Sequence, residues 1–143
     1  MIDRKARNRL SELLRSLASG QISNDEFEDS IPDSKDNAIN EVFFNGGWLL
    51  YSDMKEYKLI NKNSLEPVVK KEVAKWVLFL KSNYEYCWPR VPYTQRVLYT
   101  LTFGLFGSSY EKVWAASGNV DVWPFLKTED FNKAKEQHGY LGK

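Results

Sequence analysis

Cysteine and histidine are nearly absent from this 143-residue chain, where Cys87 and His138 stand alone. One cysteine cannot close an internal disulfide, so the fold does not depend on an oxidising compartment. Zinc sites draw several Cys or His ligands from close spacing, and one of each does not supply them. A catalytic nucleophile needs a base and a group to orient it, which leaves Cys87 and His138 as the sole thiol–imidazole pair. Nothing in the sequence brings them together. Cys87 is expected to be a buried, inert thiol between Tyr86 and Trp88, and His138 fits a last helical turn near the C-terminus.

Excess charge of either sign is also missing. With 20 Lys and Arg against 19 Asp and Glu, the net charge is +1 and gives no global attraction to nucleic acid or an anionic membrane. The longest uncharged run, Val97 to Tyr110, is too short and too rich in Thr, Ser and Gly to span a bilayer. The first residues lack the apolar core of a secretory signal, so a cytoplasmic location is expected. Phosphate-cradling glycine motifs are absent: Asn45-Gly46-Gly47 has no lysine at P-loop spacing, and Gly104 to Gly107 lacks a third glycine. The acids Asp25, Glu26, Glu28, Asp29, Asp33 and Asp36 do not follow a calcium-loop pattern. Helix N-termini account for most of them, and neither a metal nor a cofactor is expected.

Aromatics, by contrast, are abundant and unevenly spread. Phe27 is the only one before Val42, whereas thirteen of the 21 fall between Trp76 and Phe125, with four of the five tryptophans. Tyr and Trp join a large contact area to one polar handle, and with Arg they are enriched at binding hot spots. Tyr84, Tyr86, Trp88, Arg90 and Tyr93, together with Trp123 and Phe125, form the candidate contact surface. Trp76 and Trp114 are assigned to the core instead.

The periodicity predicts a mainly α, single-domain chain over residues 1–143. Residues 3–19 form one helix with Leu10, Leu13, Leu14 and Leu17 on a single face, stopped by Gly20. Arg4, Lys5 and Arg15 point away from that stripe. Ser23-Asn24-Asp25-Glu26 has the form of a capping box, with Ile22 and Phe27 as its hydrophobic staple, and Pro32 limits the helix that follows. A third helix starts at Asp33 or Ser34 and stops at Asn45-Gly46-Gly47; Trp48 to Tyr51 resumes as helix or extended chain. The central helix spans 64–82, with Asn63 and Glu66 as a capping box, Pro67 in its first turn and a broad apolar arc packed on two sides. Lys70, Lys71, Lys75 and Lys81 lie on its opposite side. Residues 84–93 are an ordered aromatic loop. Residues 97–103 alternate like a strand yet would serve as a buried helix, leaving a small β element open within 94–125. Ser108 to Gly118 fits a short helix, and Thr128 opens a last one that Gly139 ends.

The run Gly20 to Phe27, then Tyr51-Ser52-Asp53, Phe79-Leu80-Lys81-Ser82 with Trp88-Pro89, and Trp123-Pro124-Phe125, resembles small bacterial single-domain proteins without an assigned function. That resemblance implies no catalytic residues. By profile the chain is similar to immunity proteins that neutralise contact-delivered toxins.

The expected function is therefore a non-enzymatic module that binds another protein. An alternative is a small hydrolase or transferase using Asp53, Glu56 or Glu85 in a pocket rimmed by tryptophans. A further one is nucleic-acid binding through Arg4, Lys5, Arg7, Arg9 and the lysine face, which predicts steep salt dependence.

Overall fold

A computed structural model describes residues 1–89 and 116–138. It is mainly helical, and among the described residues β pairing is limited to one isolated antiparallel bridge between Ser23 and Lys58. The helices are α1 (Arg4–Ala18), α2 (Asn24–Asp29), α3 (Asn37–Asn45), α4 (Pro67–Lys81) and α5 (Thr128–His138). Short 3-10 turns occupy Gly47–Leu50, Asn61–Asn63 and Val120–Val122. The readings of 97–103 as strand or helix, and of Trp114 as core, fall on residues outside the described ones.

Helix α1 forms as its leucine stripe dictates. Asp3 caps it by accepting from the Ala6 amide at 3.0 Å, and Gly20 at φ +77 turns the chain away. A Cβ at Gly20 would overlap Ile60 and press on the Leu59 carbonyl, so the stop also sets the close approach of residues 59–60. Leu10, Leu14 and Leu17 are completely buried, each contributing roughly 2 kcal/mol relative to exposure. The stripe packs mainly on α4, and to a lesser extent on α2 and α3.

Helix α4 contacts both α1 and α5. It starts three residues later than the sequence suggests: Glu66 is the N-cap without a side-chain cap bond, and Pro67 begins the first turn. The expected Asn63–Glu66 capping box is thereby corrected, because Asn63 is used in a separate 3-10 turn. From Val73 to Leu80 nearly every residue is buried, Lys75 included. Lys75 does not join the solvated lysine face. Its Nζ donates to the Asp121 carbonyl at 2.6 Å and pairs with Glu72 at 2.8 Å, tying α4 to the turn at 120–122.

Helix α3 begins at Asn37, not at Asp33 or Ser34, because Asp36 is the residue that caps it. Ser34 is drawn elsewhere: its hydroxyl donates to Asp3 and accepts from the Asp36 amide. In α5 the acidic first turn, Glu129 and Asp130, precedes Lys133 and Lys135 as the helix dipole favours. Ala134 and the half-buried Phe131 hold α5 to the core, with Phe131 5.4 Å from Phe125.

Candidate functional site

The aromatic segment proposed as a contact surface is interior. Tyr86, Trp88, Trp123 and Phe125 are buried, and Tyr84 is partly buried against the same cluster. Phe125 meets Phe79 edge-on at 5.1 Å and Tyr84 at 5.9 Å. The polar handles are turned inward too. Trp88 Nε1 donates to the Phe125 carbonyl at 3.2 Å, and Trp123 Nε1 to the Tyr86 hydroxyl at 3.0 Å. These rings seal the α4–α5 side of the core, which corrects their reading as an exposed surface. Arg90 and Tyr93 lie outside the described residues. Cys87 is corrected in the opposite sense: it is exposed, although its neighbours on either side are buried.

The three candidate acid–base residues do not converge. Glu85 is exposed and pairs with the N-terminal ammonium of Met1 at 3.0 Å. Glu56 accepts from the Ser23 hydroxyl at 2.6 Å, beyond the other end of α1. The 15-residue helix between these ends is about 20 Å long. Asp53 is exposed in a turn, and no helix over 51–57 sets Asp53 and Glu56 on a common face. Among the described residues, no three His, Cys, Asp or Glu side chains are placed to hold a metal ion. No helix there is long and apolar enough to cross a membrane.

The basic face is likewise reduced. Arg7 is fully buried, and the Arg4 guanidinium is committed to the Leu80 carbonyl at 2.8 Å and the Ser82 carbonyl at 2.6 Å. That removes two of the four arginine and lysine side chains proposed on α1 for phosphate contact. Lys5 and Arg9 remain exposed.

A different surface does reach solvent. Phe44, Trp48 and Leu49 are 39%, 42% and 71% exposed, and they sit on the end of α3 and the 3-10 turn that follows it. A ladder of rings packs beneath Phe44 and Trp48. Phe27 is completely buried with its centroid 5.8 Å from Phe43; Phe43 lies 4.8 Å from Phe44, and Phe44 meets Trp48 edge-on at 6.0 Å. Two glycines permit this approach. A Cβ on Gly46 would stand 2.7 Å from the Val42 carbonyl and 3.1 Å from the Trp76 ring. One on Gly47 would stand 2.8 Å from the Phe27 ring. Asn45-Gly46-Gly47 is thus a helix stop whose lack of side chains lets Trp48 and Leu49 be presented outward.

Carboxylates adjoin this turn. Tyr51, next after it, donates to Glu28 of α2 at 2.7 Å, and its ring packs edge-on to Phe27. Burial first, then that bond and the charges of Glu28, Asp53 and Asp25, push the Tyr51 phenol far above its ordinary range. Partial desolvation by its neighbours, followed by repulsion from Glu56, Glu28 and Asp29, likewise raises the exposed Asp25 carboxyl. The loop carrying Asp53 and Glu56 is held on α2 by Asn24. Its buried amide donates to the Ser52 and Lys55 carbonyls at 3.2 and 2.9 Å and accepts from the Tyr57 amide at 2.9 Å.

The sequence reading missed this site because Trp48-Leu49-Leu50-Tyr51 is an ordinary apolar run by composition. The double glycine before it was the available signal. Comparison with known proteins found no matching family model, no matching curated protein and no matching solved structure.

Proposed function

We propose that this chain is a non-enzymatic protein-binding module whose contact face is built on Phe44, Trp48 and Leu49. The observation that carries this reading is their outward presentation, with Phe44 and Trp48 packed on a ladder of rings and Leu49 beside them in the same turn. A buried partner contact gains most from large apolar side chains that are already ordered, because little freedom is lost on binding. The separation of Glu85 from Asp53 and Glu56 and the lack of a clustered nucleophile and base among the described residues favour binding over catalysis. Neutralising a toxin by stoichiometric occlusion fits this role, since it needs a face and no chemistry. The reading has the chain acting in the cytoplasm, where the exposed Cys87 stays a thiol.

The test is affinity capture from the native cell with the wild-type chain and with the double variant Trp48→Ser, Leu49→Asp. A stoichiometric protein partner recovered by the wild type should be lost from the variant by at least about tenfold, the equivalent of 1.4 kcal/mol. Leu49→Asp alone, at a side chain 71% exposed, should leave the melting temperature close to wild type, whereas Trp48→Ser also gives up the Phe44 ring contact and some stability. Equal recovery by both chains would sink the proposal.

A further inference from the structure

The chain is nearly neutral as a whole, but its charge is not evenly placed. Between Gly20 and Lys58 there are nine acidic residues and only three basic ones, Lys35, Lys55 and Lys58. Two of the nine, Asp36 and Glu41, are buried. Asp25, Glu26, Asp29, Asp53 and Glu56 are exposed, with Glu28 half-exposed among them. None of these six forms an ion pair among the described residues.

The fold sets these charges beside the apolar face by two independent links. Gly47 packs against the Phe27 ring of α2, so the turn bearing Trp48 and Leu49 lies on the acidic helix itself. The Tyr51–Glu28 bond then fixes the far end of that turn to the same helix. Asn24 anchors the loop of Asp53 and Glu56 to α2 through three hydrogen bonds. Like charges crowded together oppose folding, and six exposed or half-exposed carboxylates here outnumber the three lysines of the stretch and form no ion pair with them among the described residues. A surface with apolar anchors flanked on its α2 side by unpaired carboxylates is complementary to one kind of protein face.

We infer that the Phe44–Trp48–Leu49 face takes a protein partner whose apolar docking side chain is flanked by lysine or arginine, with Asp25, Glu28, Asp29 and Asp53 as the acidic flank. This rests on the protein-binding reading above and names the chemistry of the partner. Rim charges act chiefly on the association rate and on salt dependence, whereas the apolar centre sets the lifetime of the complex.

The experiment places a photo-reactive benzophenone amino acid at position 49 of the full chain in its native cell, then measures binding of the cross-linked partner after purification. The triple variant Asp25→Asn, Asp29→Asn, Asp53→Asn should associate at least about fivefold more slowly, with a similar dissociation rate. Raising salt from about 50 to about 300 mM should slow wild-type association more than that of the variant. Neutralising Glu12, Glu129 and Glu136 on α1 and α5 to glutamine removes the same charge elsewhere and should have the smaller effect.

Each result bears on a distinct step. Absence of a cross-link at position 49 overturns the protein-binding reading and this inference with it. A cross-linked partner that binds the triple variant at the wild-type rate overturns only the inference. A cross-link to a second copy of this chain does so too, since it would make the face a self-association surface. A partner that binds the triple variant more slowly and carries clustered Lys or Arg at the cross-linked site upholds it.

Discussion

Arg7 and Asp36 form an ion pair inside the protein: Nε lies 2.6 Å from Oδ2, and the side chains are 0% and 1% exposed. The pair closes a larger polar knot. Arg7 also donates to the Tyr84 carbonyl at 2.8 Å, and Asp36 accepts from the Asp3 and Ala38 amides at 3.0 Å each. The guanidinium lies 5.2 Å from the centroid of the Phe79 ring. One arginine thus joins α1, the cap of α3, and the strand of chain leaving α4. Removing either partner leaves the other charge buried and unpaired, at a cost of about 3–5 kcal/mol. We expect Arg7→Met and Asp36→Leu each to show that loss in chemical denaturation. The double variant should recover only part of it, because the Tyr84 carbonyl and Asp3 amide remain without their partners. Arg7→Lys should not rescue, since one ammonium cannot reproduce the forked geometry.

Acid should weaken the same knot. Burial disfavours the Asp36 carboxylate, but the bonds from Arg7, Asp3 and Ala38 outweigh it and hold its carboxyl below the ordinary value of 3.8. A depressed folded value means that its stabilisation is present above 3.8 and is lost as pH falls through the folded value. Bonds from the Ala6 amide and Ser34 lower the Asp3 carboxyl in the same direction. The melting temperature should therefore fall steeply below about pH 4, and Asp36→Asn should flatten that limb while starting lower. A limb of unchanged slope in the variant would rule out Asp36 as its source.

Asn24 should matter more than a small surface-helix residue normally does. It is buried, and both ends of its amide are used to fold the 52–57 loop. Asn24→Ala should cost about 1–3 kcal/mol and accelerate amide exchange at Tyr57, which loses its acceptor. Asn24→Asp should be at least as costly, because a carboxylate cannot donate to the Ser52 and Lys55 carbonyls.

Trp76 points to an opposite kind of change. Its indole Nε1 is buried without a hydrogen-bond partner, although the ring meets Trp123 edge-on at 6.0 Å. An unmet buried donor costs about 1–3 kcal/mol, to be set against the contacts a smaller ring would give up. Trp76→Phe should therefore be near neutral in denaturant midpoint, whereas Trp76→Ala should lose about 3–5 kcal/mol. A large loss in the phenylalanine variant would show that the indole's bulk outweighs its unmet donor.

The helices were legible where local pattern decides them. Four leucines at helical spacing, the Ser23 cap and the acidic opening of α5 each depend on neighbours within a turn or two. The burial of Arg7 was also written in that pattern and was overlooked. It stands three before Leu10 and seven before Leu14, in line with the stripe rather than opposite it. Lys75 carried no such mark, because α4 is covered on nearly all sides beyond Val73. Its acceptor is a backbone carbonyl 46 positions away, which no local pattern reveals. The aromatic segment was misjudged for a related reason. Composition suits Tyr86, Trp88 and Trp123 equally to a core and to an interface, and only the packing of α4 on α5 decides between them. Leu49 was passed over because exposure of an apolar side chain depends on the glycines that turn it outward.

The arginines of α1 also impose an order on assembly. Their carbonyl acceptors lie far along the chain: Leu80 and Ser82 are 76 and 78 positions from Arg4, and Tyr84 is 77 from Arg7. A nascent chain emerging from the ribosome presents α1, with its leucine stripe and guanidinium groups, well before those acceptors are synthesised. That helix must wait, with its apolar face uncovered, until the 76 to 78 residues that separate it from those acceptors have been made. Docking of α1 therefore depends on distant contacts, and the longer such contacts take to form, the longer an apolar face stays open to aggregation or a chaperone.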